Sequence, residues 1–257
     1  MLTIDKLCYT SKLRSIHTDL KMIYAILTII VCISVRSMVV SILILLVSSW
    51  LTVSKGGIPL AKYLKLLFVP IVFITLSFIA IIISLSPQPL SWISFPLGKY
   101  YLTTSYVNLL EGLRFILISL SSVSCLYFIA LSTPVTDLLM ALKRWHIPGI
   151  LIELMLLMYR FIFHLLDIAN TLNNARKSRL GNKNYPTNLK TFGILLSNLL
   201  ILAFKYTSHL YDGMESRCYN GQILLLEEEK VLEKRWILYL ILYEIFLLII
   251  SQIMKKL

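Results

Sequence analysis

Two arginines stand in matching surroundings in this chain of 257 residues: Arg179 in "SRLGN" and Arg217 in "SRCYNG". Each follows a serine, each has a glycine a few residues on, and each closes a long apolar segment. A guanidinium is a permanent cation with a planar fork of donors on an apolar stem, which suits it to anchoring in a partner's pocket. An arginine in the last turn of a helix, with Gly181 or Gly221 just beyond, serves equally well as a cap on the negative end of the helix dipole. Spacing alone leaves both roles open. The remaining reactive side chains are dispersed. His17, His146, His164 and His209 form no His-x-x-x-His pair and join no carboxylate cluster, so no metal site is expected in this chain. Cys8, Cys32, Cys125 and Cys218 make neither a CxxC pair nor a disulfide framework. Ser119, Ser121, Ser122 and Ser124 lie in an apolar run without a Gly-x-Ser-x-Gly elbow, which assigns them to packing between helices and not to nucleophilic catalysis. Glu244 interrupts "YLILYEIFLL" and is a functional candidate by position, with a pairing to Arg114, Arg160 or Lys205 as the expected explanation. No Walker A loop is present for ATP, and no cofactor is expected.

The elements that must position these groups follow from composition. With 58% hydrophobic and only 15% charged residues and a mean hydropathy of +0.80, the chain has more apolar surface than a soluble core could hide. It reads as an all-α, polytopic integral membrane protein whose partner solvent is the lipid bilayer. The net charge of +12 is then an excess of Lys and Arg in cytoplasmic loops and not a nucleic-acid surface. Apolar runs near 22–35, 37–53, 66–85, 113–133 and 236–254 predict about five transmembrane helices. The first two, broken at Arg36, are read as a tight hairpin. That reading keeps Lys6, Lys12, Arg14 and Lys21 on the same side as Lys55, Lys62 and Lys65. The amino terminus is then inside, no signal peptide is expected, Lys255 and Lys256 fall outside, and so does the proline-rich loop 86–100.

Two further apolar segments, 150–172 and 189–206, carry polar seams. Glu153, Arg160, His164, Asp167, Thr171, Asn174 and Ser178 recur on one helical face, and Thr191, Asn198, Lys205 and Asp212 recur at every seventh position. If the pair crossed the bilayer, "ARKSRLGNKNYPTNLK" would lie outside with five cations, against the positive-inside rule. Both are therefore expected at the cytoplasmic interface, with two buried spans paired through their seams as the alternative. They are expected to run from near Pro148 to about Arg179 and from near Thr187 to about Arg217, roughly 45 Å each. The expected layout is a cytoplasmic segment 1–20, a transmembrane scaffold 21–133, a cytoplasmic coupling domain 134–235 and a final span 236–257. Glu227 to Glu229 are expected in a solvated loop.

The run "STPVTDLLMALKRWHIPGILIELMLLMYRFIFHLLDIANTLNNARKSRLG", followed by "HLYDGMESRCYNG", resembles the transmembrane T component of energy-coupling factor transporters. It is most similar to the CbiQ-like permeases of the cobalt and nickel branch, with the motif-bearing part at 132–221. In that family two motifs of the Ala-Arg-Gly type dock on two cytoplasmic ABC-type ATPase subunits. Carried over, Ser178, Arg179 and Leu180 form the first motif, and Ser216, Arg217 and Cys218 the second. Serine replaces alanine in both, and leucine and cysteine replace glycine, while the arginine is kept. The resemblance implies a third partner, a substrate-binding membrane S component of the metal-binding CbiM or NikM kind, with the chain acting in a bacterial or archaeal cell membrane. It also implies mechanical coupling, in which apolar faces including Leu151, Met155, Met158, Leu195 and Leu199 slide against a partner. Other readings are a T component for a vitamin, a stand-alone secondary carrier, or a membrane phosphotransferase. For the last, "DGMESR" resembles the opening of the CDP-alcohol phosphotransferase signature, but Leu226 stands where a glycine belongs and no aspartate follows Asp212.

Overall fold

The protein is described here from a computed structural model covering residues 3–82, 84–86, 93–97, 100–104, 106–221, 223 and 234–256. Nine α-helices follow in chain order among these residues: α1 (Thr3–Thr10), α2 (Thr18–Val35), α3 (Met38–Trp50), α4 (Leu60–Ile82), α5 (Tyr106–Ser132), α6 (Val135–Arg144), α7 (Gly149–Ser178), α8 (Tyr185–Glu215) and α9 (Lys234–Lys256). The chain is a helical, polytopic membrane protein, as its composition requires. It divides into two compact units, residues 135–228, and residues 2–134 together with 229–257.

In the larger unit α5 packs against α1, α2, α3 and α4, and small polar side chains fill the seams. The Cys32 thiol lies 2.9 Å from the Ser121 hydroxyl. The Cys125 thiol lies 3.2 Å from Ser48 and accepts from Thr28 at 3.5 Å. Ser124 meets the Tyr63 hydroxyl at 2.8 Å. Within hydrocarbon no water satisfies such groups, so they pair across helix contacts. Ser121 and Ser124 thus hold the packing role their setting predicts. Around them Val40, Ile44, Ile118 and Leu247 close an apolar core.

The expected hairpin at Arg36 is present. Arg36 adopts a left-handed backbone, φ 50°, and its N–H donates to the Cys32 carbonyl, ending α2. Tyr24 then meets Ser48 at 3.3 Å and Cys32 meets Ser41 at 3.7 Å. Both pairs are centred on the break, as antiparallel helices require. Lys21, counted among the loop cations in the sequence, is only 3% exposed. Its ammonium donates to the Ser132 carbonyl at 3.1 Å, neutralising the carboxyl end of α5. Lys21→Met is expected to destabilise this unit by about 1–3 kcal/mol, seen as a lowered melting temperature in detergent, because a buried carbonyl loses its charged donor.

Glu244 is 9% exposed. Both carboxylate oxygens lack a hydrogen-bond partner among the described residues, and no ion pair joins it to Arg114, which is exposed. The expected pairing with Arg114 is absent. An arginine one helix away can reach the bilayer surface on its long stem, and that is cheaper than burying it. Between α4 and α5 three short strands, β1 (Ser84–Ser86), β2 (Ile93–Leu97) and β3 (Tyr100–Thr104), form an antiparallel sheet in the order β1-β3-β2. Pro96 lies on the edge strand β2, where a missing N–H is tolerated. The remainder of the predicted 86–100 loop and Glu227 to Glu229 lie outside the described residues.

In the smaller unit, α6 sets Leu139 against Ile152 and Leu156 of α7, with Val135, Leu142, Ile147 and Met155 around them. The chain turns at His146, φ 62°. Pro148 then caps α7, and Pro186 sits in the first turn of α8, where a missing N–H costs nothing. Seven helices are long and apolar enough to cross a membrane by length and composition, against the five expected, and the added two are α7 and α8. Averaged over their length, both stay apolar in spite of their seams. Charges recur only about every seven residues, so an 18-residue stretch of either helix holds no more than two of them. Length and apolarity are met equally by a helix lying along an apolar surface.

Candidate functional site

The site is built on α7 and α8, joined by the turn at residues 179–184. Contacts between them join residues progressively further from that turn. Arg176 donates to the Asn188 side-chain oxygen at 2.6 Å, the His164 and Tyr206 rings meet edge to face at 4.4 Å, and the Tyr219 hydroxyl donates to Glu153 at 2.8 Å. The two helices are therefore antiparallel, and their carboxyl ends lie at opposite ends of the pair. With 30 and 31 residues, each is about 45 Å long at the helical rise.

Both carboxyl ends close in the same motif. At the first, Gly181 N–H donates to the Arg176 carbonyl at 2.9 Å and Leu180 N–H to Lys177 at 3.0 Å. At the second, Tyr219 N–H donates to Met214 at 3.0 Å and Cys218 N–H to Glu215 at 2.9 Å. These are paired Schellman closures. In each the arginine is the residue just before a left-handed one, with φ 56° at Leu180 and 58° at Cys218. The left-handed position thus falls on the third residue of each small-Arg-x triplet, ahead of Gly181 and Gly221. Gly221 is left-handed as well, at φ 87°, but takes no part in the closure.

All six motif residues, Ser178, Arg179, Leu180, Ser216, Arg217 and Cys218, are exposed. Ser178 and Ser216 turn their hydroxyls back to the carbonyls of Asn174 and Gly213, leaving the arginines as the protruding groups. Neither Arg179 nor Arg217 has an ion pair or side-chain hydrogen bond among the described residues. Arg176, three residues before Arg179, is the opposite case. It bonds Asn173 at 3.0 Å and Asn188, and lies over the Phe192 ring at 5.9 Å. One arginine staples the turn and the other is free.

Because Leu180 and Cys218 are exposed, their side chains contribute little packing to offset left-handed strain of about 1 kcal/mol each. Leu180→Gly and Cys218→Gly are expected to stabilise their motifs. The amides of Gly181 and Tyr219 should exchange about fivefold more slowly in hydrogen-exchange measurements.

Two residues outside the triplets anchor the ends. Gly181 is buried against the start of α8, where its carbonyl accepts from Thr191 at 2.6 Å. Glu153 takes the Tyr219 hydroxyl on one oxygen and the Ile223 N–H on the other, at 2.7 Å. That hydrogen bond holds the Tyr219 phenol above its ordinary range, so the hydroxyl stays the donor. Sequence placed Glu153 on the seam of α7 but gave no sign of partners some seventy residues on. Of the proposed sliding face, Leu151 and Met158 are exposed, Met155 and Leu199 half-buried, and Leu195 is buried. No three His, Cys, Asp or Glu side chains are gathered among the described residues.

Residues 10–227 match the family profile CbiQ, described as "Cobalt transport protein". The chain is 27% identical to the uncharacterized protein MJ1089 of Methanocaldococcus jannaschii, over 98% of this chain and 93% of that one. It is 26% identical to a putative fused cobalt transport protein CbiMQ of Methanocorpusculum labreanum, over 88% of this chain and 38% of that protein. It is 36% identical to the energy-coupling factor transporter transmembrane protein EcfT of Ruminiclostridium cellulolyticum, over 36% of each chain.

Proposed function

The chain belongs to the CbiQ family of cobalt transport proteins, and on that premise we propose that it is the T component of an energy-coupling factor importer. In this reading Arg179 and Arg217 each dock on one of two cytoplasmic ATPase subunits. Closure of the ATPases on ATP moves the two ends of the α7–α8 pair, and the helices pass that motion as rigid bodies to a membrane S component that binds cobalt or nickel. The transported ion is cargo, and its ligands belong to the S component. The likeness to a fused CbiMQ protein supports a CbiM-type partner. The likeness to EcfT supports the energy-coupling factor assignment.

One observation carries the reading: two free arginines in identical helix closures at opposite ends of an antiparallel pair. Were α7 and α8 to cross the bilayer side by side, Arg179 and Arg217 would face opposite compartments. Lying along the cytoplasmic surface, the pair offers both to the ATPases at once. The exposed apolar side chains of Ile150, Leu154, Phe192, Leu196 and Phe204 suit such a resting place.

Labelling of Asn182→Cys and Asn220→Cys, each in a Cys218→Ser background, tests this orientation; the three remaining cysteines are buried. With a membrane-impermeant maleimide, both sites are expected to stay unlabelled in intact cells and to react after permeabilisation. Labelling of one from outside would establish a crossing pair and defeat the reading.

A further inference from the structure

We infer that the groove between α7 and the carboxyl-terminal part of α8 binds one anionic phospholipid. The groove measures about 720 Å³ and draws one face from each helix. From α7 come Leu157, Arg160, Phe161 and His164, at the spacing of a single helical face. From α8 and its end come Tyr206, His209, Met214 and Arg217. Two guanidinium groups and two imidazoles thus share one cleft, and no carboxylate lines it among the described residues. Glu153, which holds the lining residues Tyr219 and Ile223, has both oxygens engaged by them. Tyr206 holds the His164 ring edge-on, so part of the polar lining is preset.

The rest of the lining decides what kind of anion fits. Leu157, Phe161 and Met214 give the cleft an apolar flank, which a free inorganic anion would not use. Large apolar side chains continue along the same helices outside it, among them Met158, Ile162 and Phe204. A phosphodiester carrying acyl chains satisfies both halves, its phosphate on Arg160, His164 and His209 and a chain along the apolar flank. Arg217 is itself part of the lining, so a bound lipid would also brace the second arginine-bearing end. The lipid inference does not depend on ATPase docking.

Native mass spectrometry of the delipidated full chain, titrated with phosphatidylglycerol or phosphatidylcholine of the same acyl composition, tests it. Phosphatidylglycerol is expected to saturate at one per chain at about tenfold lower concentration. Arg160→Gln with His209→Gln should erase that preference, while Arg160→Lys should keep most of it. Equal binding of the two lipids, or a preference that survives the double substitution, overturns the inference. Photoactivatable phosphatidylglycerol on the unmodified chain gives an answer free of folding effects. Adducts are expected in residues 157–164 and 206–217, and adducts confined to other segments would refute the site.

Discussion

Charge reversal at both tips, Arg179→Glu with Arg217→Glu, is expected to abolish co-purification of the ATPase subunits and uptake of cobalt or nickel by cells. A buried arginine anchor at an interface is worth about 2 kcal/mol or more when truncated, so losing two amounts to at least roughly a thousandfold in affinity. Reversal adds repulsion. Both side chains are exposed and bond nothing among the described residues, so the purified variant should keep its helix content and melting temperature. Each single reversal should retain partial assembly through the other tip. If the double variant still captures the ATPases in mild detergent, the docking role fails and the arginines are helix caps.

The second large effect is expected at Gly181, which carries no charge. A β-carbon there would approach the Arg176 side chain at 2.7 Å, the Arg176 carbonyl at 2.9 Å and the Thr191 hydroxyl at 3.3 Å. The carbonyl is backbone and cannot step aside without opening the closure that Gly181 itself completes. Gly181→Val should therefore cost about 1–3 kcal/mol locally, the usual range for overpacking. It should free the Thr191 hydrogen bond and release Arg176 from Asn188. Amide exchange should rise across residues 176–191 and not around Tyr219, which lies at the far end of the pair. ATPase capture should fall about as far as in the single Arg179→Glu variant, and that equivalence separates a mispositioned arginine from a global loss of fold.

Much of the architecture was legible in the chain. Arg36, a lone charge between two short apolar runs, marked the break, and the cations flanking the two runs marked it as a hairpin, because only that topology keeps them on one side. The repeated serine-arginine pairs marked the two helix ends to within a residue or two. What sequence could not supply is which group each end leaves free. Arg176 and Arg179 are alike in type and three positions apart, yet one is consumed by Asn188 and the other is not. Nor could it show that Leu180 and Cys218, where the related motifs carry glycine, would adopt the left-handed backbone. The closure is set by carbonyls three and five residues back, and those dictate the conformation whatever the side chain. The two helices that averaged hydropathy adds to the five predicted spans are the seam-bearing pair that the sequence set apart. A polar seam is visible as periodicity, but averaged hydropathy is blind to it.

The two arginine-bearing ends are chemically the same and mechanically different. Arg179 sits on a turn clamped from both sides, with Arg176, Asn188, Thr191 and Gly181 tying one helix to the next. Arg217 sits where α8 runs out, and among the described residues the chain beyond it is held by Tyr219 and Ile223 on Glu153 and by Ile223 packed against the Leu139, Ile152 and Leu156 cluster. A pull on the first is carried by two helices in parallel, whereas a pull on the second loads one helix and a short tether past its end. A load placed on either end would therefore meet a different set of restraints.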